Sequence, residues 1–435
     1  MAAAGGDHEV IDVEALVSNL QRKMSGKMVM PPRCSIFKIP TILSRHNKTA
    51  YTPNAFSFGP FHHDTDQLKP TEKIKSKYLL GLVSRLSKID PNPSTPDTIL
   101  RNLTNAINDV EKEALQYYAG PIGKKADEFV EILVLDGCFI IELFRKKSYS
   151  ELREKDDPIF NMSCMLQFLS HDLILLENQI PWLVLDLLFK LTPTTSVDNK
   201  SLVELAIDFF SYLFTENPPR AQSILCIIQN HEHKHILDLL RSSLVLNSSI
   251  TKQKSHKWQH MRSATGLRDS GITFKQNLFS DSVLDITFCK KKGVMAIPPL
   301  LIHETTETVF RNLISLEQCC PNYEPIVTSY AVLLDNLIDT NTDIQILEKN
   351  NAIVNWLNID DATKFFNKLY IDTYVKENYY HQLTSDVNGY CRRSWHKYRR
   401  ILKRDYFKHP WALMSVIAAS VALILTFLQT LYAMK

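Results

Sequence analysis

Glycine is scarce in this sequence, with 12 glycines among 435 residues, and none of them forms a glycine-rich loop that could bind a phosphate group. The GxSxG motif that carries the nucleophile of α/β-hydrolases is also absent. The eight cysteines are scattered through mostly apolar stretches without the paired spacings of zinc sites, which favours reduced thiols over a disulfide framework. The sequence therefore predicts no cofactor, no metal site and no complete set of catalytic residues.

A secretory signal is missing as well, because the N-terminus has neither a basic start nor a following apolar run. Triplets at Asn47, Asn102, Asn161 and Asn247 match the N-glycosylation motif, which matters only in a lumenal or extracellular domain. Without a signal, we expect these asparagines to remain unmodified.

The chain does contain a long uncharged run, from Pro410 to Met434. At about 1.5 Å per residue, a helix over this run would exceed the roughly 30 Å hydrocarbon layer, which predicts a C-terminal transmembrane helix over residues 410–434. A buried core helix is the alternative. Small residues four apart, Ser415 with Ala419 and Ala418 with Ala422, would let two such helices approach closely and self-associate; the alternative is that small residues are common in membrane anchors generally. The residues expected to form the anchor are Trp411, Leu413, Ile417, Val421, Leu425, Leu428 and Tyr432.

Basic residues cluster immediately before this run, over residues 392–409. They are Arg392, Arg393, Lys397, Arg399, Arg400, Lys403, Arg404 and Lys408, opposed only by Asp405. The segment predicts a basic juxtamembrane helix on anionic membrane lipid, with an ordinary solvated helix face as the alternative. Because positive flanks stay on the cytosolic side, we expect a cytosolic body at the plasma membrane or an endomembrane. The rest of the chain is net negative, since the whole chain carries only +3, and this disfavours nucleic acid as a partner.

The remaining pattern predicts a mainly α fold, a large helical body with a small β-hairpin element. Residues 1–30 would contain a short amphipathic helix over 9–25, and residues 31–391 would form a single helical domain. Within it, residues 31–63 are rich in proline, asparagine and aromatics and are expected to be extended chain pinned onto the helices. Predicted helices cover 68–88, 101–119, 125–147, 162–190, 201–214, 221–246, 303–319, 326–337, 343–350 and 362–383, and the hairpin falls between 272 and 302.

One histidine pair is spaced as in a metalloprotease, in the run from His231 to His235. Residues four apart on a helix can both face one zinc ion. A third ligand is missing, however, because Asp238 and Arg241 stand where a metzincin has glycine and histidine. The alternative is a polar turn of a surface helix that packs through its isoleucines and leucines.

Several polar residues interrupt the most apolar helices. Asp136, Glu142 and Glu177 are candidates for acid or base groups with raised pKa values, and the alternative is that they cap helices or meet a basic side chain inside the body. Asn178 and Gln179 follow directly and complete the set of motif residues that we expect to be structural.

Several ordered stretches together resemble one plant family, the domain-of-unknown-function family two-four-seven. The stretches are Phe58-Gly59-Pro60-Phe61-His62-His63, Leu135-Asp136-Gly137-Cys138, Glu177-Asn178-Gln179-Ile180-Pro181, Leu284-Asp285-Ile286-Thr287-Phe288, Ile297-Pro298-Pro299-Leu300 and Tyr406-Phe407-Lys408-His409-Pro410-Trp411. The resemblance implies a plant protein with one membrane span, and some grass members look like pollen-side determinants of self-incompatibility. It brings no known catalytic residues.

Two functional hypotheses follow from the sequence. The favoured one is a membrane-anchored protein of cell recognition or signalling, whose unknown protein partner could be a small secreted peptide, met directly or through an intermediary. The other is a membrane-associated hydrolase or metal-dependent enzyme that uses His231 and His235 or the buried carboxylates.

Overall fold

Apolar residues recur at helical spacing along most of the chain, and helices occupy most of these stretches. The computed structural model describes residues 12–25, 31, 33–89, 95–194, 200–216, 227–252, 255–392 and 410–433. Its helices are α1 Val13–Ser25, α2 Thr41–Ser44, α3 Lys69–Ile89, α4 Pro96–Leu115, α5 Ala126–Ser148, α6 Ser163–Leu173, α7 Trp182–Leu191, α8 Leu202–Phe209, α9 Ile236–Val245, α10 Ala264–Asp269, α11 Thr306–Cys319, α12 Ile326–Leu337, α13 Asn341–Lys349, α14 Ile359–Phe366, α15 His381–Cys391 and α16 Pro410–Ala433. The predicted mainly α class is confirmed.

Helix starts follow local side-chain chemistry. At α8, the Ser201 hydroxyl accepts the N–H of Glu204 at 3.2 Å, and the Glu204 carboxylate accepts the N–H of Ser201 at 2.7 Å. This reciprocal capping box satisfies N–H groups that have no partner inside the helix. At α4, Thr95 caps the first turn and Pro96 occupies the first helical position, where its missing N–H costs nothing.

Helix α5 forms the centre of the N-terminal half and packs against α3, α4, α7 and α8. Its phenylalanines Phe129, Phe139 and Phe144 are fully buried, as expected for a helix that is apolar nearly all round. Gly137 allows α7 to come close, because a Cβ atom at this position would lie 2.4 Å from the Cδ1 atom of Leu188.

The segment from residue 52 to 61 is irregular extended chain that lies against α5. Phe56 and Phe58 stack on Phe139 with ring centroids 5.5 and 6.0 Å away. Further toward the N-terminus, Ile36 forms an isolated bridge with Tyr118. The prediction of extended chain pinned onto a helical body over residues 31–63 is confirmed for residues 52–61, whereas Thr41–Ser44 and Thr49–Tyr51 are helical turns.

Two small sheets complete the body. Strands β1 Thr273–Gln276, β2 Thr287–Cys289 and β3 Val294–Ile297 form one sheet in the order β1-β3-β2. Strands β2 and β3 are the predicted hairpin, and β1 adds to β3 in parallel. The second sheet pairs β4 Leu300–Ile302 in parallel with β5 Ile353–Asn355, a strand that the sequence analysis did not predict.

Three predicted helices are interrupted, and the break at residues 231–235 in the helix predicted over 221–246 is described below with the histidine pair. The predicted helix over 162–190 breaks between α6 and α7, where Pro181 disfavours helical backbone at the residue before it. The predicted helix over 362–383 ends at Phe366, and Asp372 then adopts a left-handed φ of 65°, which a continuous helix cannot contain. The residue pattern over 362–383 did not indicate this break.

Helix α16 carries no charged residue, and its described side chains are exposed, with Trp411 at 76% and Tyr432 at 87%. Yet no helix within the described ranges combines the length and hydropathy needed to cross a membrane, so the predicted transmembrane helix is not supported. Of the predicted basic segment, Arg392 is the C-cap residue of α15. The side chain of Leu413 and the residues Arg393, Lys397, Arg399, Arg400, Lys403, Arg404 and Lys408 lie outside the described residues.

Candidate functional site

The carboxylate of Asp136 on α5 is buried and has two structural partners. One oxygen lies 2.6 Å from the Nζ atom of Lys75 on α3, and the other accepts the backbone N–H of Gly59 at 2.8 Å. Lys75 is itself fully buried and also donates to the carbonyl oxygen of Ser57. Burial raises the pKa of Asp136, and the Lys75 ammonium opposes that shift. Together these bonds fix the extended segment to α5 and α3.

The same segment is held from its other side by Asp172 and Asn178. Asp172 accepts the three successive N–H groups of residues 54–56, at 2.7, 2.8 and 2.7 Å. The Asn178 side chain accepts the N–H of Phe58 at 2.7 Å and donates to the carbonyl of Phe56 at 3.0 Å. An extended segment has no ladder partner of its own, and these side chains supply the missing hydrogen bonds. Asp172 interrupts a run of leucines in the sequence, and that pattern does not indicate its hydrogen bonds to this segment.

Glu177 and Gln179 connect more distant parts of the chain. Glu177 accepts the N–H of Ile39 at 2.5 Å, and its second oxygen lies 3.2 Å from the Nε2 atom of His62. Gln179 donates to carbonyl groups of its own loop and accepts the N–H of Leu237 at 3.2 Å. Both side chains thereby join the break between α6 and α7 to neighbouring segments.

Glu142 meets two arginines inside the helical body. It forms ion pairs with Arg85 on α3 and with Arg145 on its own helix, the latter at 3.2 Å. Arg145 is buried, and its guanidinium group also stacks over the Phe189 ring, 4.7 Å from the ring centroid. The carboxylates with suspected catalytic roles therefore have structural partners.

The histidine pair does not lie on one helix. Residues 231–235 are non-helical, and α9 begins only at Ile236. His235 is the N-cap: its Nδ1 atom accepts the N–H of Asp238 at 3.2 Å and its Nε2 atom donates to the Ser35 carbonyl at 3.2 Å. Burial lowers the pKa of His235 to about 4, whereas the His231 side chain is exposed. The predicted surface helix is wrong here, and so is the premise of two ligands facing one zinc ion.

A surface groove of about 740 Å³ opens between α6, the chain after α8 and the β4–β5 sheet. A cavity of about 300 Å³ shares Gln167, Glu304 and Thr305 with it, and we call the two together the acidic groove. None of the motif residues Asp136, Glu142, Glu177, Asn178 and Gln179 lines it. Among the residues that the structure describes, no group of three or more His, Cys, Asp or Glu side chains has an arrangement that could hold a metal ion.

Backbone pairing around β4 builds the wall of the acidic groove. The N–H of Trp356 donates to the carbonyl of Ile302 at 2.9 Å, and the N–H of Leu301 donates to the carbonyl of Phe214 at 2.9 Å. These bonds place Trp356 on one side and the chain around Tyr212 on the other. Both aromatic side chains are about two-thirds exposed, at 66% and 65%. Large amphipathic rings in a groove are typical of recognition surfaces.

The charges that line the acidic groove have one sign. Glu216 and Glu304 are exposed carboxylates, and within the described residues no lysine or arginine lies within ion-pair distance of either one. Glu304 accepts a hydrogen bond from Gln167, while Glu307 is paired with Arg311 at 2.7 Å. Burial lowers the pKa of the groove residue His303, which keeps its ring neutral near pH 7.

Sequence reasoning missed the acidic groove because its lining comes from widely separated segments. Gln167 belongs to α6, Glu304 lies in the turn after β4, and Trp356 directly follows β5. Each residue alone looks like an ordinary surface position. A prediction of β5 from the sequence would have indicated the groove, because it would have placed Trp356 beside β4.

Comparison with known proteins relates most of the chain to one family model and to two plant proteins. A family model, DUF247, described as plant protein of unknown function, matches residues 36–425. UPF0481 protein At3g47200 of Arabidopsis thaliana is 26% identical, over 92% of this chain and 86% of its own length. Putative UPF0481 protein At3g02645 of the same plant is 22% identical, over 91% of this chain and 89% of its own length. No solved structure matches significantly.

Proposed function

The chain belongs to the DUF247 family of plant proteins, and we propose that it is a membrane-anchored recognition protein that acts through protein–protein interaction. The acidic groove is the observation that carries this proposal. Its exposed tryptophan and tyrosine provide contact area at low entropic cost, and its carboxylates can fix the orientation of a partner.

The anchor is the second part of the proposal, and helix α16 supports it. The described side chains of α16 are exposed, and they include Ile417 at 54%, Leu425 at 55% and Phe427 at 65%. Each large apolar side chain moved from water into lipid contributes roughly 1.5–3 kcal/mol, and α16 has no charge to oppose that transfer. The proposal rests on this exposed apolar surface rather than on a complete span.

Membrane fractionation tests the anchor. The full chain expressed in plant cells should sediment with membranes and resist carbonate extraction, whereas an Ile417→Glu, Leu425→Glu variant should move to the supernatant. Leu278→Glu is the matched control, because Leu278 is 63% exposed and belongs to the body. Equal membrane retention of both variants would remove α16 as the anchor.

Partner capture tests recognition. Affinity capture from pollen and from leaf membranes should retain a specific protein with the wild-type chain and lose it with a Tyr212→Ala, Trp356→Ala variant. Tyr374→Ala is the control, since Tyr374 is 76% exposed and lies outside the acidic groove. A partner that binds all three proteins equally would show that the acidic groove is not the recognition surface.

The body is proposed to face the cytosol, on the basis of the basic residues that precede α16 in the sequence. Protease added to intact cells should leave an N-terminal tag undigested, and Asn47 and Asn102 should carry no glycan. Digestion without permeabilisation, or a glycosidase-sensitive mass shift, would place the body outside.

The resemblance to pollen-side determinants gives the recognition proposal a narrower form. In that form the protein acts in grass self-incompatibility, and a secreted stigma peptide reaches it through an intermediary or after entry into the pollen cell. Loss of the gene from pollen should then change compatibility with otherwise incompatible stigmas. Unchanged compatibility would reject the narrower form and leave the recognition proposal to the capture experiment.

A further inference from the structure

We infer that the acidic groove binds an arginine or lysine side chain of an extended peptide. The inference rests on the proposed recognition function and names the chemical class of the ligand. Three features of the described residues lead to it: the sign of the charges, the position of the aromatic rings and the polar lining of the smaller cavity.

The first feature is charge. The carboxylates of Glu216 and Glu304 line the larger cavity, and no described lysine or arginine lines either cavity of the groove. The neighbouring Glu307 is already neutralised by Arg311. An anionic partner would be repelled by these carboxylates, while a peptide with several basic side chains can form an ion pair with each of them.

The second feature is the combination of an aromatic ring with a carboxylate. Elsewhere in the molecule the same combination holds a cation: Lys146 lies 4.0 Å from the Tyr78 ring centroid and 2.9 Å from Asp157. Arg241 likewise lies over the Tyr323 ring, at 4.7 Å, while its Nε atom is 3.0 Å from Glu317. These internal sites show the geometry by which this fold binds basic side chains.

In the acidic groove, Trp356 and His303 provide adjoining rings, with centroids 6.5 Å apart, and Glu304 follows His303 directly. Trp356 is the strongest cation–π acceptor among the aromatic residues. Because His303 has a lowered pKa and stays neutral near pH 7, it does not repel an incoming cation.

The third feature indicates a peptide rather than a small cation. The cavity that adjoins the larger one has a polar lining that includes Asn47, Thr49 and Asn54. Asn47 and Thr49 bond to each other, and Asn47 also donates to Glu307, so the side-chain amide of Asn54 is the group that can bond to a peptide backbone. The two volumes, about 740 and 300 Å³, are in the range of sites for ligands much larger than one side chain. An extended segment can place its basic side chain at Trp356 and continue toward Asn54.

The test is calorimetric titration of the purified full chain, in maltoside micelles, with three synthetic peptides. They are acetyl-(Gly-Arg)₄-amide, its citrulline counterpart, which keeps the shape and hydrogen-bonding groups but removes the charge, and acetyl-(Gly-Glu)₄-amide. We expect the arginine peptide to bind and the other two to bind at least about fivefold more weakly, since two ion pairs and one cation–π contact are lost.

Variants of the acidic groove then locate the site. Trp356→Ala should weaken binding of the arginine peptide by about 2- to 30-fold, and a Glu216→Gln, Glu304→Gln variant by roughly 2- to 30-fold. Trp356→Phe should retain most of the affinity because it keeps a ring. Glu131→Gln, at an exposed carboxylate of α5 outside the groove, should change nothing.

Equal affinity for the arginine and citrulline peptides, or binding of none of the three, would overturn the inference about the ligand. Binding of the arginine peptide that is unaffected by both groove variants would overturn its location. Neither result depends on partner capture, which judges the recognition function itself by loss of a native partner in the Tyr212→Ala, Trp356→Ala variant.

Discussion

Replacing Gly59 by alanine tests how closely the extended segment must approach the helical body. Gly59 has a left-handed φ of 71°, and a Cβ atom there would lie 2.5 Å from the carbonyl oxygen of Gln179 and 3.1 Å from the Tyr118 hydroxyl. The left-handed conformation costs a non-glycine residue about 1–2 kcal/mol. The contact with Gln179 involves backbone and cannot be relieved by a rotamer change, so the segment must shift, and its hydrogen bond to Asp136 is expected to weaken.

Weakening the hydrogen bond between the Gly59 N–H and Asp136 adds about 1–3 kcal/mol, because the acceptor is a buried carboxylate. We therefore expect Gly59→Ala to lower the free energy of unfolding by about 2–5 kcal/mol. Urea unfolding of the full chain in maltoside, followed by circular dichroism, measures this loss.

Alanine substitutions at two other glycines distinguish the cost of a left-handed backbone conformation from the cost of a steric contact. Gly120 has a φ of 85°, but a Cβ atom there would have no neighbouring atom within 4 Å, so Gly120→Ala should cost only about 1–2 kcal/mol. Gly389, in α15, has neither a left-handed φ nor a close neighbour, and Gly389→Ala should be neutral or stabilise by up to about 1 kcal/mol. If Gly59→Ala costs no more than Gly120→Ala, the contact with Gln179 does not restrict this position.

Other predictions concern charge, pH, metal and self-association. Lys75→Met should lower the free energy of unfolding in urea by about 3–5 kcal/mol, because it leaves the Asp136 carboxylate without its ion-pair partner. Adding Asp136→Leu should recover part of that loss, and no recovery would contradict the ion-pair explanation. The pKa of His235 is lowered to about 4 from 6.5 in the folded chain, so the unfolded chain takes up a proton at a pH where the folded chain does not. The free energy of unfolding should be retained above pH 6.5 and fall by about 2 kcal/mol between pH 7 and pH 5. This fall should be smaller in His235→Gln. Metal analysis of the purified chain should find no stoichiometric zinc, and zinc that disappears in a His231→Ala, His235→Ala variant would reverse this prediction. Replacing Ala418 and Ala422 of α16 by leucine should weaken self-association in membranes, as measured by cross-linking, and unchanged cross-linking would exclude this helix face.

Where the sequence predicted elements correctly, strong local signals agreed with tertiary packing. Helix α12 has the predicted bounds, 326–337, and α5 differs by one residue at each end. Both helices combine long apolar periodicity with clear ends, so burial reinforces the local preference. The hairpin of β2 and β3 was predictable for the same reason, since β-branched residues flank a turn that ends at Gly293, where φ is positive.

Where prediction failed, the apolar pattern was followed past a stop signal or the tertiary contacts had no local counterpart. Residues 174–181 join two apolar helices but contain Asn178 and Pro181, and their backbone breaks so that Asn178 and Gln179 can reach the extended segment and α9. The left-handed backbone at Asp372 has no counterpart in the residue pattern. Strand β5 is only three residues long, and its pairing with β4 depends on a contact across about fifty residues of chain.

Residues that carry the family resemblance stabilise the fold, whereas residues that line the acidic groove are exposed to a partner. Substitutions in the two groups therefore provide different evidence about function. Asp136 and Asn178 are buried and hold the extended segment, so substituting either one alone should destabilise the body and lower any activity indirectly. A loss of function at these positions is therefore no evidence of a catalytic site. Trp356 and Glu304 are exposed, and their side chains contact His303 and Gln167 at the surface of the acidic groove, so a loss of binding there, with an unchanged free energy of unfolding, identifies the recognition surface itself.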